Sequence, residues 1–79
     1  MAVVRYFAAA RAAAGRPEEP VPASTLDELV AALGELHGEP LTRLLKCCSY
    51  LVDGVVRHDP AAPLADTSTV DVLPPFAGG

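Results

Sequence analysis

The residues of this sequence that are best placed to do chemistry are its last six, Pro-Pro-Phe-Ala-Gly-Gly at positions 74–79. A proline fixes φ at about −65° and cannot continue a strand ladder, so Pro74 and Pro75 are expected to project the chain outward in an extended form. Ala77 and the two glycines after it have almost no side-chain bulk, so they can enter a channel that is too narrow for other residues. We therefore predict a flexible tail over 74–79 that is inserted into a partner protein.

Gly79 carries the α-carboxylate, which is ionised at neutral pH because its pKa is typically about 3.3–3.7. A carboxylate acylates other groups poorly until it becomes a mixed anhydride such as an acyl adenylate, and that conversion needs ATP. The sequence has no glycine-rich phosphate loop. We therefore expect no bound cofactor, and ATP consumption by a separate activating protein. The alternative interpretation is that Gly78 and Gly79 form an inert, disordered end.

Two cysteines and two histidines are the remaining candidates for reactive side chains. Cys47 and Cys48 are adjacent, so a disulfide between them would be strained, and they lack the accompanying ligands of a zinc site. We interpret them as ordinary reduced thiols, at least one of them in the core, with a reactive thiol pair as the alternative. His37 is interpreted as a helix-end residue favoured by the helix dipole, and His58 as a loop residue. No metal site is expected.

Composition excludes several classes of function. The net charge is −4 and the pI about 4.9, and the six basic residues are scattered, so we expect no binding to nucleic acid. We also expect no association with a membrane, since no apolar run approaches the roughly 20 residues of a membrane span. We expect a cytoplasmic location. The 79 residues are predicted to form a single domain, and a hydrophobic content of 51% predicts an exposed apolar patch that binds a partner.

Four clear elements are expected to position the tail. Residues 2–7 predict a first strand whose Val3-Arg5-Phe7 face is the less buried one. The stretch 24–38 predicts the main helix, because its leucines and one valine recur on one face. Those apolar residues are Leu26, Leu29, Val30, Leu33 and Leu36. A hairpin is predicted around Asp53-Gly54, a dipeptide suited to a type I′ turn, and residues 69–73 predict a last strand.

Three weaker elements lie between these. The alanine run before Gly15 favours a short helix, residues 18–22 favour an edge strand because of their prolines, and the leucines at 41–45 favour one or two helical turns. The first and last strands are the most apolar, so we expect them side by side at the sheet centre. The sequence thus predicts an α+β fold of the β-grasp, or ubiquitin-like, type, a small mixed sheet with one main helix packed across it.

The sequence resembles the MoaD/ThiS family of sulfur-carrier proteins, and its MoaD branch most closely. The likeness runs the length of the chain, through "VRYFAAARAAAG", "STLDELVAAL", "YLVDG" and "PLADTSTVDVLPPFAGG". The last of these is the specific part, although the chain has Asp66-Thr67-Ser68 where the family often has Asp-Gly-Asp, and Phe76 where valine is frequent.

The resemblance implies a carrier cycle in which catalytic side chains belong to partner proteins. Gly79 would be adenylated by an activating enzyme resembling MoeB or ThiF and converted, with sulfur from a donor, to a thiocarboxylate. That group would enter a MoaE-like large subunit and give its sulfur to cyclic pyranopterin monophosphate, in the synthesis of the molybdenum cofactor. Leu73 and Phe76 are candidates either for packing of the tail base or for docking on the large subunit.

Other functions remain open on the residues alone. The same carrier chemistry serves thiazole, cysteine or other thio-metabolite synthesis. A ubiquitin-like modifier would instead attach Gly79 to lysines of target proteins, and a plain binding domain would not use its last residues at all.

Overall fold

A computed structural model of the protein describes residues 1–75, over which the chain forms five strands and three helices. In chain order they are β1 (Ala2–Tyr6), α1 (Ala8–Ala14), β2 (Glu18–Val21), α2 (Leu26–His37), α3 (Glu39–Leu45), β3 (Ser49–Val52), β4 (Val55–Arg57) and β5 (Thr69–Leu73). The sheet order is β2-β1-β5-β3-β4, with β1 and β5 parallel and the other pairs antiparallel. The first and last strands are therefore neighbours at the sheet centre, as predicted.

The core lies between one face of this sheet and the three helices. Alternate residues of the central strands point toward it, so Val4 pairs with Val70, and Tyr6 pairs with Val72, as fully or nearly fully buried neighbours. The helices add further buried side chains, which are Ala10, Leu26, Leu29, Leu33, Leu41 and Leu45. The predicted α+β, β-grasp architecture is confirmed, and one face of the sheet carries no helix within residues 1–75.

Helix α2 begins with a variant of the capping box, in which Glu28 bonds the residue before the N-cap Thr25. The Thr25 side chain accepts from the Glu28 N–H at 3.2 Å, and the Glu28 carboxylate accepts from the Ser24 N–H at 2.9 Å. The helix ends at Gly38, whose φ of 77° suits glycine. Leu36 differs from the prediction, since it is 58% exposed. The surface under this last turn is polar, and the neighbouring His37 takes the inward position.

The hairpin turn is tied to the strand that leads into the tail. Asp53 and Gly54 both have positive φ, at 51° and 84°, which fits the predicted type I′ turn. The Asp53 N–H donates to the Thr69 carbonyl at 2.8 Å, and the Asp53 carboxylate accepts from the Thr69 N–H at 2.9 Å. One residue thus shapes the turn and fixes the start of β5.

Replacing Asp53 with alanine is expected to lower the free energy of unfolding by about 1–2 kcal/mol, because it removes the acceptor for the Thr69 N–H and places alanine at positive φ. Asp53→Asn is the matched control, since asparagine tolerates this backbone and keeps an acceptor. Urea unfolding of both variants would check this, and equal losses would contradict the assigned role of the side chain.

Candidate functional site

The tail leaves the sheet from a strand that is held on both sides. Val72 lies beside Tyr6 of β1 and Tyr50 of β3, and its carbonyl accepts from the Phe7 N–H at 3.3 Å. Pro74 is half-buried and Pro75 is exposed. The base of the tail therefore has a fixed origin at the end of a central strand.

Four of the predicted tail residues lie outside the described residues. They are Phe76, Ala77, Gly78 and Gly79, which include the predicted reacting carboxylate and one of the two predicted docking residues. The roles assigned to them from the sequence stay predictions. Pro74, Pro75 and Leu73 are described, and they lead directly to this segment.

Leu73 lies on the sheet face that the helices leave open. It sits opposite Ser49 and is half-buried. Val3 and Leu51 share this face and are also half-buried, and Phe7, at the end of β1, is exposed. An apolar surface thus continues from the base of the tail across the sheet, in keeping with the exposed apolar patch that the composition predicts.

A bidentate ion pair stands at the centre of this open face. The Arg5 Nε donates to Asp71 Oδ1 at 2.6 Å, and the Arg5 Nη2 donates to Oδ2 at 2.9 Å. Asp71 is only 8% exposed, although no helix of residues 1–75 covers it. The hydrogen bonds to Asp71, and then its charge, raise the pKa of Arg5, so the guanidinium stays charged.

Sequence reasoning missed this pair, although a signal was present. It placed Arg5 on the less buried face of β1, and it expected β1 and β5 to be adjacent. An acidic residue on the matching face of β5, two residues before Leu73, is then a natural partner. The parallel register of Arg5 with Asp71 completes the contact.

A second polar cluster lies under the helix side of the sheet. The Tyr6 hydroxyl donates to Glu19 Oε2 at 2.5 Å, and the His37 Nε2 bonds to the same oxygen. Arg16 approaches the other oxygen at 3.3 Å, and Glu19 is only 7% exposed. The sequence interpretation of His37 as a helix-end residue did not include this contact. The cluster joins β1, β2 and the end of α2.

The cluster shifts the pKa values of its members in opposite directions. Burial tends to raise the pKa of Glu19, but the hydrogen bonds from Tyr6 and His37 and the nearby positive charges outweigh burial, so the net pKa is lowered. Burial and then the hydrogen bond to Glu19 raise the pKa of Tyr6 well above its usual value. The carboxylate is therefore ionised and the phenol neutral across the physiological range, which suits a structural clamp.

The two cysteines differ in their surroundings. Cys47 is exposed, whereas Cys48 is half-buried against the core and donates its S–H to the Leu44 carbonyl at 3.1 Å. Burial, and then the neighbouring Cys47, raises the pKa of Cys48 to about 11. Since the thiolate is the reactive form, Cys48 is a poor nucleophile in the folded protein. This argues against the alternative in which the two cysteines form a reactive thiol pair.

We expect iodoacetamide at pH 7.5 to alkylate Cys47 much faster than Cys48, by at least about tenfold, because Cys48 is half-buried and its thiolate is rare at that pH. Tandem mass spectrometry of the timed products would measure both rates. In 6 M guanidinium chloride the two rates should become similar, and a Cys48 that reacts first in the folded protein would contradict the assignment.

Within residues 1–75 no helix is long and apolar enough to cross a membrane. The same residues contain no group of three or more His, Cys, Asp or Glu side chains arranged to hold a metal ion.

The sequence pattern of the ThiS family matches residues 4–79. The chain belongs to the ThiS family. The MoaD/ThiS resemblance of the sequence is thereby confirmed, and with it a sulfur-carrier type of protein. No curated protein matches this chain significantly.

Solved structures agree with this assignment. Subunit 1 of the molybdopterin-converting factor from Helicobacter pylori 26695, solved in a complex with subunit 2, is 28% identical. Its TM-score is 0.75, over 99% of this chain and 97% of that one. SAMP1 from Haloferax volcanii has a TM-score of 0.82 at 20% identity, over 99% and 98% of the two chains. SAMP1 from Methanosarcina acetivorans has a TM-score of 0.83 at 22% identity, over 99% and 95%. At these identities the two SAMP1 proteins show the fold alone.

Proposed function

We propose that the chain is the sulfur-donating small subunit of a molybdopterin-synthase-type complex, with Gly79 as the residue that carries sulfur. The observation that carries this proposal is the family match through Gly79, supported by the 28% identity to subunit 1 of a molybdopterin-converting factor. The complex of that protein with its subunit 2 supports a MoaE-like large subunit as the partner here.

Activation of the carboxylate takes place on a separate MoeB- or ThiF-like enzyme. A Gly79 carboxylate oxygen attacks the α-phosphorus of ATP, the bond to pyrophosphate breaks, and an acyl adenylate forms. Hydrosulfide then attacks the acyl carbon and AMP leaves, which gives the thiocarboxylate and a proton. If the sulfur donor is an enzyme persulfide, the acyl disulfide formed first needs a thiol to reduce it.

The chain itself positions its tail for this chemistry and provides a docking surface for the partner. β5 fixes the origin of the tail, because β1 and β3 pair with it on both sides. Pro74 and Pro75 then favour an extended path. Leu73 places an apolar side chain on the open face directly before the tail, so a large subunit that takes up the tail also covers this face. The thiocarboxylate sulfur forms a carbon–sulfur bond with cyclic pyranopterin monophosphate as an oxygen substituent of the acceptor leaves. Water then cleaves the bond between the Gly79 acyl carbon and the sulfur, so that the sulfur stays on the acceptor and the Gly79 carboxylate is returned.

Intact-protein mass spectrometry tests the proposal. The chain is incubated with a MoeB-type activating enzyme, ATP and sulfide, and a reaction without ATP is the control. Replacing oxygen by sulfur adds about 16 Da, so tandem fragmentation must place the change on Gly79, since oxidation of a cysteine or Met1 adds the same mass. Thiocarboxylate on Gly79 followed by sulfur transfer to cyclic pyranopterin monophosphate in the presence of the large subunit is expected. No change at Gly79 would overturn the proposal.

A second candidate is a ubiquitin-like protein modifier. The fold likeness to the small archaeal modifier protein 1 structures favours it. This function predicts isopeptide bonds between Gly79 and lysines of cellular proteins, which peptide mass spectrometry of a tagged chain would detect. Free thiocarboxylate without such adducts supports the carrier function instead. Thiocarboxylate on Gly79 without transfer to the pterin would indicate carrier chemistry in another pathway, such as thiazole or cysteine synthesis.

A further inference from the structure

The two cysteines lie at the end of the sheet from which the tail leaves. Ser49 comes directly after them and is in register with Leu73, the last residue of β5. Because β3 and β5 are antiparallel, the chain before Ser49 and the chain after Leu73 both continue beyond this end of the sheet. The pairing of β3 with β5 therefore brings a turn that carries two thiols close to the origin of the tail.

The two thiols of this turn differ in access. Cys47 is exposed, and its N–H donates to the Leu44 carbonyl at 3.0 Å, so the last turn of α3 holds its backbone. Cys48 is half-buried and directs its S–H to the same carbonyl at 3.1 Å. A disulfide between the two adjacent residues would close a strained ring. Cys47 is thus the thiol that can react with a group outside the core.

The tail is long enough to bring Gly79 to Cys47. Antiparallel partners lie about 5 Å apart and two residues span at most about 7 Å, so the Cα atoms of Cys47 and Leu73 lie within about 12 Å. Residues 74–79 reach at most about 20 Å from Leu73, and a flexible chain of that length has a mean span of about 13 Å. A linker whose mean span matches the distance gives an effective concentration in the millimolar range.

Charge favours the same approach. A thiocarboxylate is an anion, and Lys46 places an exposed ammonium group directly before Cys47. Lys46 forms no ion pair with the acidic side chains of residues 1–75. The chain as a whole has a net charge of −4 and repels an anion, whereas this unpaired cation attracts the end of the tail.

We propose that Cys47 captures the Gly79 thiocarboxylate reversibly, as an acyl disulfide within one chain. This inference rests on the proposed function, because it takes Gly79 as the residue that carries sulfur. A peroxide is the oxidant. The Cys47 sulfur attacks one peroxide oxygen, the O–O bond breaks, water leaves, and a sulfenic acid forms. The thiocarboxylate sulfur then attacks the Cys47 sulfur, the S–O bond breaks, and hydroxide leaves and takes up a proton, so the peroxide ends as two waters.

The acyl disulfide is a closed form of the carrier. It has no free thiocarboxylate to donate, and Gly79 cannot enter a partner's channel while it is linked to Cys47. A low-molecular-weight thiol reopens it, because attack on the Cys47 sulfur expels the thiocarboxylate, which is the better leaving group. A second thiol then frees Cys47 from the mixed disulfide. Sulfur delivery therefore stops under oxidising conditions and resumes when thiols are restored.

The test uses the full chain with a C-terminal thiocarboxylate made chemically, by cleavage of an intein fusion with sulfide, so no activating enzyme is needed. One equivalent of hydrogen peroxide at pH 7.5 should lower the mass by about 2 Da and join the tryptic peptides 47–57 and 58–79. The rate should not depend on protein concentration, because both sulfur atoms belong to one chain. Dithiothreitol should restore the thiocarboxylate.

Three variants locate the reaction. Cys48→Ser should form the link like wild type, which excludes a disulfide between the two cysteines as the source of the mass change. Cys47→Ser should form at least about 20-fold less of the linked product. Adding Thr67→Cys to Cys47→Ser places an exposed thiol at the opposite end of β5, about 20 Å from Leu73, and should not restore the link. Thermal unfolding of each variant must show that it is folded.

The outcomes separate this inference from the proposed function. A wild-type chain that forms only linked dimers or a disulfide between Cys47 and Cys48, or equal linkage through a thiol at position 67, would overturn capture by Cys47 and leave the proposed function standing. Failure of the activating enzyme to place sulfur on Gly79, in the experiment described above, would overturn the proposed function even where the chemically made thiocarboxylate forms the link.

Discussion

A chain that carries one additional alanine after Gly79 is expected to accept no sulfur, with thiocarboxylate formation and sulfur transfer falling at least about 100-fold. The extra residue moves the carboxylate by about 3.5 Å, and a displacement of about 1 Å is already enough to cost roughly 100-fold when reacting atoms must be aligned. Intact mass spectrometry after incubation with the activating enzyme, ATP and sulfide would measure the product.

The matched control is an alanine added before Met1, which changes length and mass equally but leaves Gly79 terminal. This control should be thiocarboxylated like wild type. Binding of the C-terminal variant to the large subunit should weaken by less than about tenfold if the open sheet face provides most of the docking surface. Normal sulfur transfer by the C-terminal variant would contradict the requirement for a terminal Gly79 carboxylate.

Replacing Glu19 with glutamine is expected to lower the free energy of unfolding by about 2–4 kcal/mol. The variant removes the buried charge to which Tyr6, His37 and Arg16 are directed, and breaking such a network leaves its other members poorly satisfied. This is a large fraction of the roughly 5–15 kcal/mol that stabilises a typical domain. Urea unfolding at pH 7 would measure it.

The pH dependence follows from the lowered pKa of Glu19. A carboxyl whose pKa is lower in the folded state stabilises the fold above its unfolded pKa, about 4.3, and this contribution is lost as the pH falls through the folded value. Wild type should therefore lose stability on acidification below about pH 5 more steeply than Glu19→Gln does. Parallel curves for the two proteins would contradict the linkage.

Glu39→Gln is the matched control for both measurements. It makes the same chemical change in an exposed pair, since Glu39 lies 3.3 Å from Arg43 and the two side chains are 70% and 80% exposed. Such surface pairs contribute at most about 1 kcal/mol. A loss in Glu39→Gln as large as in Glu19→Gln would mean that charge alone, and not burial, accounts for the effect.

The parts of the fold that were predictable from sequence are those with strong local signals. The capping sequence before Leu26 and the turn dipeptide Asp53-Gly54 act through neighbouring residues, so α2 and the hairpin were recognised. The adjacency of β1 and β5 followed from their apolar character. The bounds of the weaker elements depend on packing, yet all of them are present.

The polar contacts were not predictable, because they depend on register between distant segments. Glu19 lies 13 residues from Tyr6 and 18 from His37 along the chain, and only the pairing of β1 with β2 brings them together. The same cluster explains Leu36. Helical periodicity places His37, four residues after Leu33, within the apolar stripe and Leu36 at its margin, and the Glu19 carboxylate beneath the helix end gives the histidine a partner.

The parallel pairing of β1 with β5 also determines how the protein responds to force. The N-terminus enters β1 at one end of the sheet, and the tail leaves β5 at the opposite end. A pull between Met1 and the tail therefore slides the two strands along each other, so their hydrogen bonds are loaded together and must break together. A β-hairpin pulled from its open end would lose them one at a time. If a partner pulls on the tail as the proposed function requires, the load acts along β5, and the pairing with β1 resists it in that direction.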